Sequence, residues 1–174
     1  MIGPADLAGT PALALRPVTP ADVGFLDHVY ASTRTAELAP LGWPPAEVEA
    51  FLAQQARAQR QHYWQQCDTT QFHVVEADGE AAGRLFVEAL AGELRIVDIA
   101  LLPAWRGKGI GSRLLAALAA VAERDGLPLR IHVEAGNPAQ RLYQRMGFRF
   151  TDAPGQPVVY RLMERPPGCP RHAA

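Results

Sequence analysis

Hydrophobic positions along the chain change period several times, and each change predicts a change of element. Ala12 to Arg16 reads as a short strand. Thr19-Pro20-Ala21-Asp22 is a helix start: Thr19 caps, Pro20 fits the first turn and Asp22 closes the box. Phe25, Leu26 and Val29 then mark one helical face. From Ser32 to Trp43 the chain is polar and shows no clear period, and Gly42, Pro44 and Pro45 break it. A second helix is expected from about Pro45 to Tyr63, with Val48, Phe51 and Leu52 on one side. Its second half is rich in glutamine and arginine, so much of that half must face water or a groove.

Phe72 to Glu76 and Ala81 to Glu88 read as strands joined by a tight turn at Asp78-Gly79. Gly92 separates them from Leu94 to Leu101, so three antiparallel strands are expected in a row. After Gly111, Leu114, Leu115, Leu118, Val121 and Ala122 follow the i, i+1, i+4, i+7, i+8 spacing of a core-facing helix starting near Ser112. Gly126 stops it, and Leu129 to Glu134 is a short strand. Asn137-Pro138-Ala139-Gln140 opens another helix by cap, proline and box, with Ala139, Leu142, Tyr143 and Met146 on its apolar face. Gly147 ends it, and Phe148 to Thr151 and Val158 to Met163 are the last strands. Together these elements predict an α/β (α+β) domain over residues 13–163, a mixed sheet with helices on both faces. Residues 1–12 and the Pro-rich stretch 164–174 are expected to be flexible ends.

Composition narrows the function classes. The chain has 174 residues, enough for one domain with a real core. Lys+Arg 17 against Asp+Glu 18 leaves no basic surplus for nucleic acid and no acidic tail. Cys67 and Cys169 stand far apart, and five histidines show no ligand spacing, so neither a disulfide framework nor a metal is expected. The start MIGPADLAGT lacks the pattern of a secretory signal, and no segment approaches the roughly 20 apolar residues that span a membrane. A cytoplasmic protein is expected.

Chemistry concentrates at Arg106-Gly107-Lys108-Gly109-Ile110-Gly111, between a strand and a helix. Crowded glycines let backbone N–H groups converge on an anion, and the helix start adds its positive end. The spacing is neither the G-x-G-x-x-G of a dinucleotide fold nor the G-x-x-x-x-G-K-[ST] of a P-loop. A solvated glycine turn with two surface cations is the plainer alternative; a diphosphate site is the chemical one.

The order of features beyond this loop resembles the GCN5-related N-acetyltransferase (GNAT) superfamily over roughly residues 13–163. Its Arg-x-x-Gly-x-Gly/Ala signature matches Arg106, Gly109 and Gly111. Its later Asn…Leu-Tyr-x-x-x-Gly-Phe signature matches Asn137, Leu142, Tyr143, Gly147 and Phe148. The resemblance implies the GNAT-type fold, with acetyl-CoA as cosubstrate in a cleft where two neighbouring parallel strands, Leu94–Leu101 and Leu129–Glu134, splay apart. It implies that the backbone of Ile99 and Leu101 pairs with the pantetheine arm, beside a bulge. The N–H groups of Arg106, Gly107, Lys108, Gly109, Ile110 and Gly111, with Ser112 just beyond, would hold the diphosphate. The side chains of Arg106 and Lys108 need not touch it; either can neutralise the 3'-phosphate region or face water.

Acetyl transfer to an amine needs a neutral amine, a stabilised oxyanion and a proton for the departing thiolate. No acyl-enzyme is required, and Cys67 and Cys169 sit in no nucleophile motif. The family places a tyrosine beside the thioester sulfur, which makes Tyr143 the implied general acid; a core tyrosine would look the same in sequence. Asn137 is a helix cap first and a cofactor contact second. For the base, His132 and Glu134 share one face of their strand, and Asp98 interrupts an apolar strand. Asp98 is either a base reached through water or a structural partner for Arg95 or Arg130. Some relatives carry a carboxylate near the His132 position, so the role stays open among these three. Tyr30, Arg34 and Glu37 lie three and four apart and would share a helical face toward the acceptor. The carboxylate and guanidinium together hint at an amino-acid-like or peptide-terminal amine. The competing classes are a non-catalytic acyl-CoA-binding domain and a purely structural one. A monomer and a homodimer are both compatible with the sequence, the exposed late strand being the possible pairing edge.

Overall fold

A computed structural model describes residues 2–151 and 159–168. Seven strands form one mixed sheet: β1 (Leu13–Pro17), β2 (Phe72–Ala77), β3 (Glu80–Leu90), β4 (Glu93–Leu101), β5 (Leu129–Glu134), β6 (Arg149–Phe150) and β7 (Tyr160–Arg165). Their spatial order is β1-β2-β3-β4-β5-β7-β6. Every neighbouring pair is antiparallel except β4 with β5. The late strand β7 pairs on both sides, so the sheet edge on that flank is the two-residue β6 rather than β7.

Four helices cover the sheet: α1 (Val23–Leu38), α2 (Pro45–Gln66), α3 (Ile110–Arg124) and α4 (Gln140–Arg145). The larger core lies between the sheet and α3, where Leu114, Leu115, Leu118, Val121 and Ala122 meet Leu85, Ile96, Leu129 and Ile131. A smaller core of Leu26, Phe72 and Phe86, with Tyr63 and Val97 against it, lies under α1 and α2. Phe72 and Phe86 stack there with centroids 4.1 Å apart. No helix among the described residues is long and apolar enough to cross a membrane.

The polar stretch after Ser32 stays helical to Leu38 and ends in a turn closed by Gly42 at φ 63°. The hydroxyls of Ser32, Thr33 and Thr35 bond back to carbonyls of Val29, Tyr30 and Ala31, so these residues need no partner outside the helix. At the helix entrance, the Asp22 carboxylate accepts the Thr19 N–H at 2.7 Å and pairs with Arg16 of β1 at 2.8 Å, which pulls it well below the usual carboxylate range.

Both expected ends differ in part. Pro4–Leu7 forms a 3-10 turn, and Leu7 is buried in the larger core with its carbonyl accepting from Arg113. β7 runs through Glu164 to the buried Arg165, which pairs with Glu123 of α3 at 3.1 Å. The rest of the predicted tail, from 169 on, lies outside the described residues, as does Val158, the first residue of the predicted last strand.

Candidate active site

The site is built by one strand that changes partner. β4 pairs with β5 only at Leu94↔Leu129, Arg95↔Arg130 and Ile96↔Ile131. Beyond that point β5 continues against β7 alone, from His132↔Leu162 to Glu134↔Tyr160. The register of β4 against β3 jumps from Val87↔Ile96 to Phe86↔Asp98, which makes Val97 the extra residue of a bulge. Past the bulge, Leu102 donates to the Ala82 carbonyl at 2.9 Å. In an antiparallel ladder the alternate residues then face the other way, so the peptide groups of Ile99 and Leu101 point into the gap between β4 and β5. Gly83 lets β3 follow this bend: a Cβ there would sit 2.2 Å from the Ala100 carbonyl oxygen.

The gap opens into a cavity of about 940 Å³ that runs from Ile99–Leu101 to the glycine loop and on to the end of α1. Gly107 and Gly109 hold φ of 75° and 76°, the left-handed region that glycine tolerates. α3 begins at Ile110, two residues earlier than the pattern predicted, and its first backbone bond runs from Arg113 to Gly109 at 3.1 Å. The N–H groups of Ile110, Gly111 and Ser112 therefore precede the helical ladder and face the cavity end of a helix, the arrangement that suits an anion. A Cβ at Gly109 would enter open space: among the described residues, none beyond its chain neighbours comes within 4 Å of it. The two cations of the loop do not point at this place. Arg106 donates through Nε to the Leu101 carbonyl at 2.8 Å and through Nη2 to the Ser32 carbonyl at 3.2 Å, tying the loop to β4 and α1. Lys108 lies over the Trp105 ring, 4.5 Å from its centroid, and does not line the cavity.

Asn137 lines the cavity, and its Oδ1 accepts the Ala139 N–H at 2.9 Å. The expected box with Gln140 is replaced: the Gln140 amide donates to the carbonyls of Glu134 and Ala135, fastening α4 to the end of β5. Tyr143 lines the same cavity, 5% exposed, with its ring 5.8 Å from that of Phe148. Burial, helped by the negative charge of Asp98, pushes its hydroxyl well above the usual phenol range. Among the described residues no hydrogen bond engages that hydroxyl.

The three candidate bases are not brought together. Glu134 lines the cavity, and its carboxylate accepts from Arg34 at 2.8 Å. His132 shares that face of β5 but is exposed and is not among the cavity residues. Asp98 has a structural partner, though neither Arg95 nor Arg130: it pairs with the buried Arg84 of β3 at 2.7 Å and accepts from Tyr63 at 3.3 Å. Arg95 and Arg130 instead both reach Glu93, each at 2.5 Å. The bulge explains the change. Without it Asp98 would follow Leu94 and Ile96 into the larger core; the extra Val97 turns it to the α2 side, where Arg84 stands. Cys67 is half-buried, and burial pushes its thiol up, away from the reactive thiolate.

On α1, Arg34 bridges Glu37 at 2.9 Å and Glu134, so the predicted acceptor face does meet β5. Glu37 lines the cavity together with Thr33, one turn earlier; Tyr30 and Arg34 are not among the lining residues, and Arg34 reaches the site through its pairs with Glu37 and Glu134. Thr33 escaped the sequence reading, although it lies four residues from Glu37 on the same helical face. Arg84 escaped it too. Opposite charges each set between apolar neighbours in two adjacent strands, Arg84 before Leu85 and Asp98 between Val97 and Ile99, are the signal that could have paired them.

Residues 68–150 match the sequence family described as the acetyltransferase (GNAT) domain. Over that segment the chain is similar to the acetyltransferases of the GNAT superfamily. It is 33% identical over 78 residues to a candidate ribosomal protein bS18-alanine N-acetyltransferase of Bacillus subtilis (strain 168), covering 44% of this chain and 52% of that protein. It is 36% identical over 113 residues to the streptothricin acetyltransferase of Streptomyces lavendulae, covering 57% of this chain and 60% of the other. The chain thus spans little more than half the length of these curated relatives. Among solved structures it resembles the PaiA N-acetyltransferase of Thermoplasma acidophilum in complex with coenzyme A. That match has a TM-score of 0.63 at 18% identity, over 88% of this chain and 98% of the other. At that identity the likeness shows the fold, and the fold is the GNAT fold.

Proposed function

We propose that this GNAT domain transfers an acetyl group from acetyl-CoA to a primary amine by direct attack, the acceptor being a small molecule, an amino acid or a protein N terminus. One observation carries the reading. A single cavity joins the unpaired edge of β4, the orphan N–H groups at the start of α3, the proton-bearing Tyr143 and the carboxylates of Glu134 and Glu37. The residues fit the cosubstrate. The peptide groups of Ile99 and Leu101 offer a strand edge to the amide-bearing arm, although the Leu101 carbonyl is shared with Arg106. Residues from Gly107 to Ser112 offer N–H donors to the diphosphate, with Asn137 opposite. The family uses acetyl-CoA, which supplies the acetyl group as an already activated thioester.

The chain's own residues then divide the work. Burial keeps the Tyr143 hydroxyl protonated at neutral pH, so it has a proton to give to a departing thiolate. Glu134 is the base we favour, because it alone of the three candidates borders the cavity. Arg34 holds that carboxylate in place until an ammonium group competes for it. Glu37 adds a second carboxylate to the acceptor end, and Arg34 can meet a carboxylate on the acceptor itself. His132 would act only through water at the strand's exposed face, and Asp98 is engaged by Arg84.

Thiol release from acetyl-CoA, measured against a panel of amines, amino acids and short peptides, tests this function. Amine-dependent release supports it. CoA binding without release from any acceptor would leave an acyl-CoA-binding domain, and neither binding nor release would leave the cavity without this role.

A further inference from the structure

A second cavity, of about 420 Å³, lies between the start of α1, the second half of α2 and the start of β2. It shares no lining residue with the cleft between β4 and β5. Its volume falls in the range of small-molecule sites. Arg57, Arg60, Gln61 and Trp64 stand at i, i+3, i+4 and i+7, so one stripe of α2 forms a wall. This is the glutamine- and arginine-rich half-helix whose pattern demanded water or a groove. The floor is apolar, with Val18, Val23 and Phe72. The Trp64 ring meets Phe72 nearly edge-on, 5.4 Å between centroids, yet remains 41% exposed.

Charge selects the occupant. Among the described residues, no carboxylate lines the cavity. Arg60 is paired with Asp27, whereas Arg57 has no hydrogen bond or ion pair among the described residues. An unpaired guanidinium beside an exposed indole and an apolar floor suits a flat apolar body carrying one anionic group, because the guanidinium fork matches a carboxylate. We propose that this cavity is a binding site for a small aromatic carboxylate, distinct from the acyl-transfer cleft. The ring would lie against Trp64 and Phe72 and the carboxylate on Arg57, with Gln61 within the same helical stripe. Val23 opens α1, and Thr33 of the cleft lies ten residues on, about 15 Å along the helix axis. Two ligands can therefore be bound at once.

Calorimetric titration of the full chain with 2-naphthoate tests the site, with neutral 2-naphthol as the control. We expect 2-naphthoate to bind with a Kd below about 1 mM, at least fivefold tighter than 2-naphthol, and with an affinity unchanged by saturating CoA. Arg57→Gln, at an exposed position without partners, should weaken 2-naphthoate at least fivefold and leave 2-naphthol unaffected. Trp64→Ala should weaken both, and a melting curve shows whether that variant is folded. No binding of 2-naphthoate, equal affinity for the two probes, displacement by CoA, or an Arg57→Gln protein that binds like the wild type would each overturn the proposal. The Arg57→Gln comparison needs no CoA, so it stands whether or not the acyl-transfer reading does.

Discussion

Tyr143 and Asp98 show how differently single residues can be read. Tyr143 stood in a recognisable motif, and its place on the apolar face of α4 followed from helical spacing; that it also borders the cleft needed the splay of β4 from β5. Replacing it by phenylalanine removes one hydroxyl and keeps the ring against Phe148. We expect kcat to fall by roughly 10- to 1000-fold, the range of general acid catalysis, with CoA affinity nearly unchanged. The wild type should show no loss of activity from Tyr143 ionisation up to about pH 10, the ordinary phenol value, because burial raises the folded pKa above it. Wild-type turnover in the phenylalanine protein, with no product-release burst hiding the step, would leave Tyr143 as a packing residue. Asp98 was legible as an anomaly only, because its partner depends on a bulge that no local pattern announces. Both ends of the Arg84–Asp98 pair are largely buried, at 7% and 13% side-chain exposure. Asp98→Ala strands the guanidinium, and we expect a loss of about 3 kcal/mol or more, read as a fall in melting temperature. An unchanged melting curve would show that the pair holds nothing together.

At the scale of elements, hydrophobic period placed nearly every strand and helix, and the glycine loop named its own junction. What period could not give was the length of α1, whose last turns are held by hydroxyls bonding back to the helix and by the Arg34 bridge to Glu134. Nor could it give the direction of Arg106, which spends its guanidinium on Leu101 and Ser32 instead of on a ligand. The loop remains the most direct element to perturb. Gly109→Val places bulk in the open space beside the loop and forces a branched residue to φ 76°. We expect CoA binding to weaken more than tenfold, or about 1.4 kcal/mol. Gly109→Ala carries similar backbone strain, of about 1–2 kcal/mol, with far less bulk, so its CoA affinity should fall less than that of the valine protein. Calorimetry on both, beside their melting curves, separates blocked approach from lost stability; equal and unaltered CoA affinities would move the diphosphate elsewhere.

Across the whole molecule, the sheet is continuous from β1 to β6 except where β4 leaves β5, and everything proposed for the reaction gathers at that break. The second cavity lies on the face covered by α1 and α2 and shares no lining residue with the cleft at that break. Amide hydrogen exchange of the intact chain, with and without saturating CoA, reads both places in one experiment. Bound CoA should slow exchange in residues 97–101, where its arm takes the partner that β5 does not provide, and in residues 107–112, where the diphosphate accepts the N–H groups at the start of α3. Residues 57–64 of α2 should exchange at the same rate in both samples. Unchanged exchange in 97–101 and 107–112 at saturating CoA would contradict the placement of the cosubstrate in the break between β4 and β5.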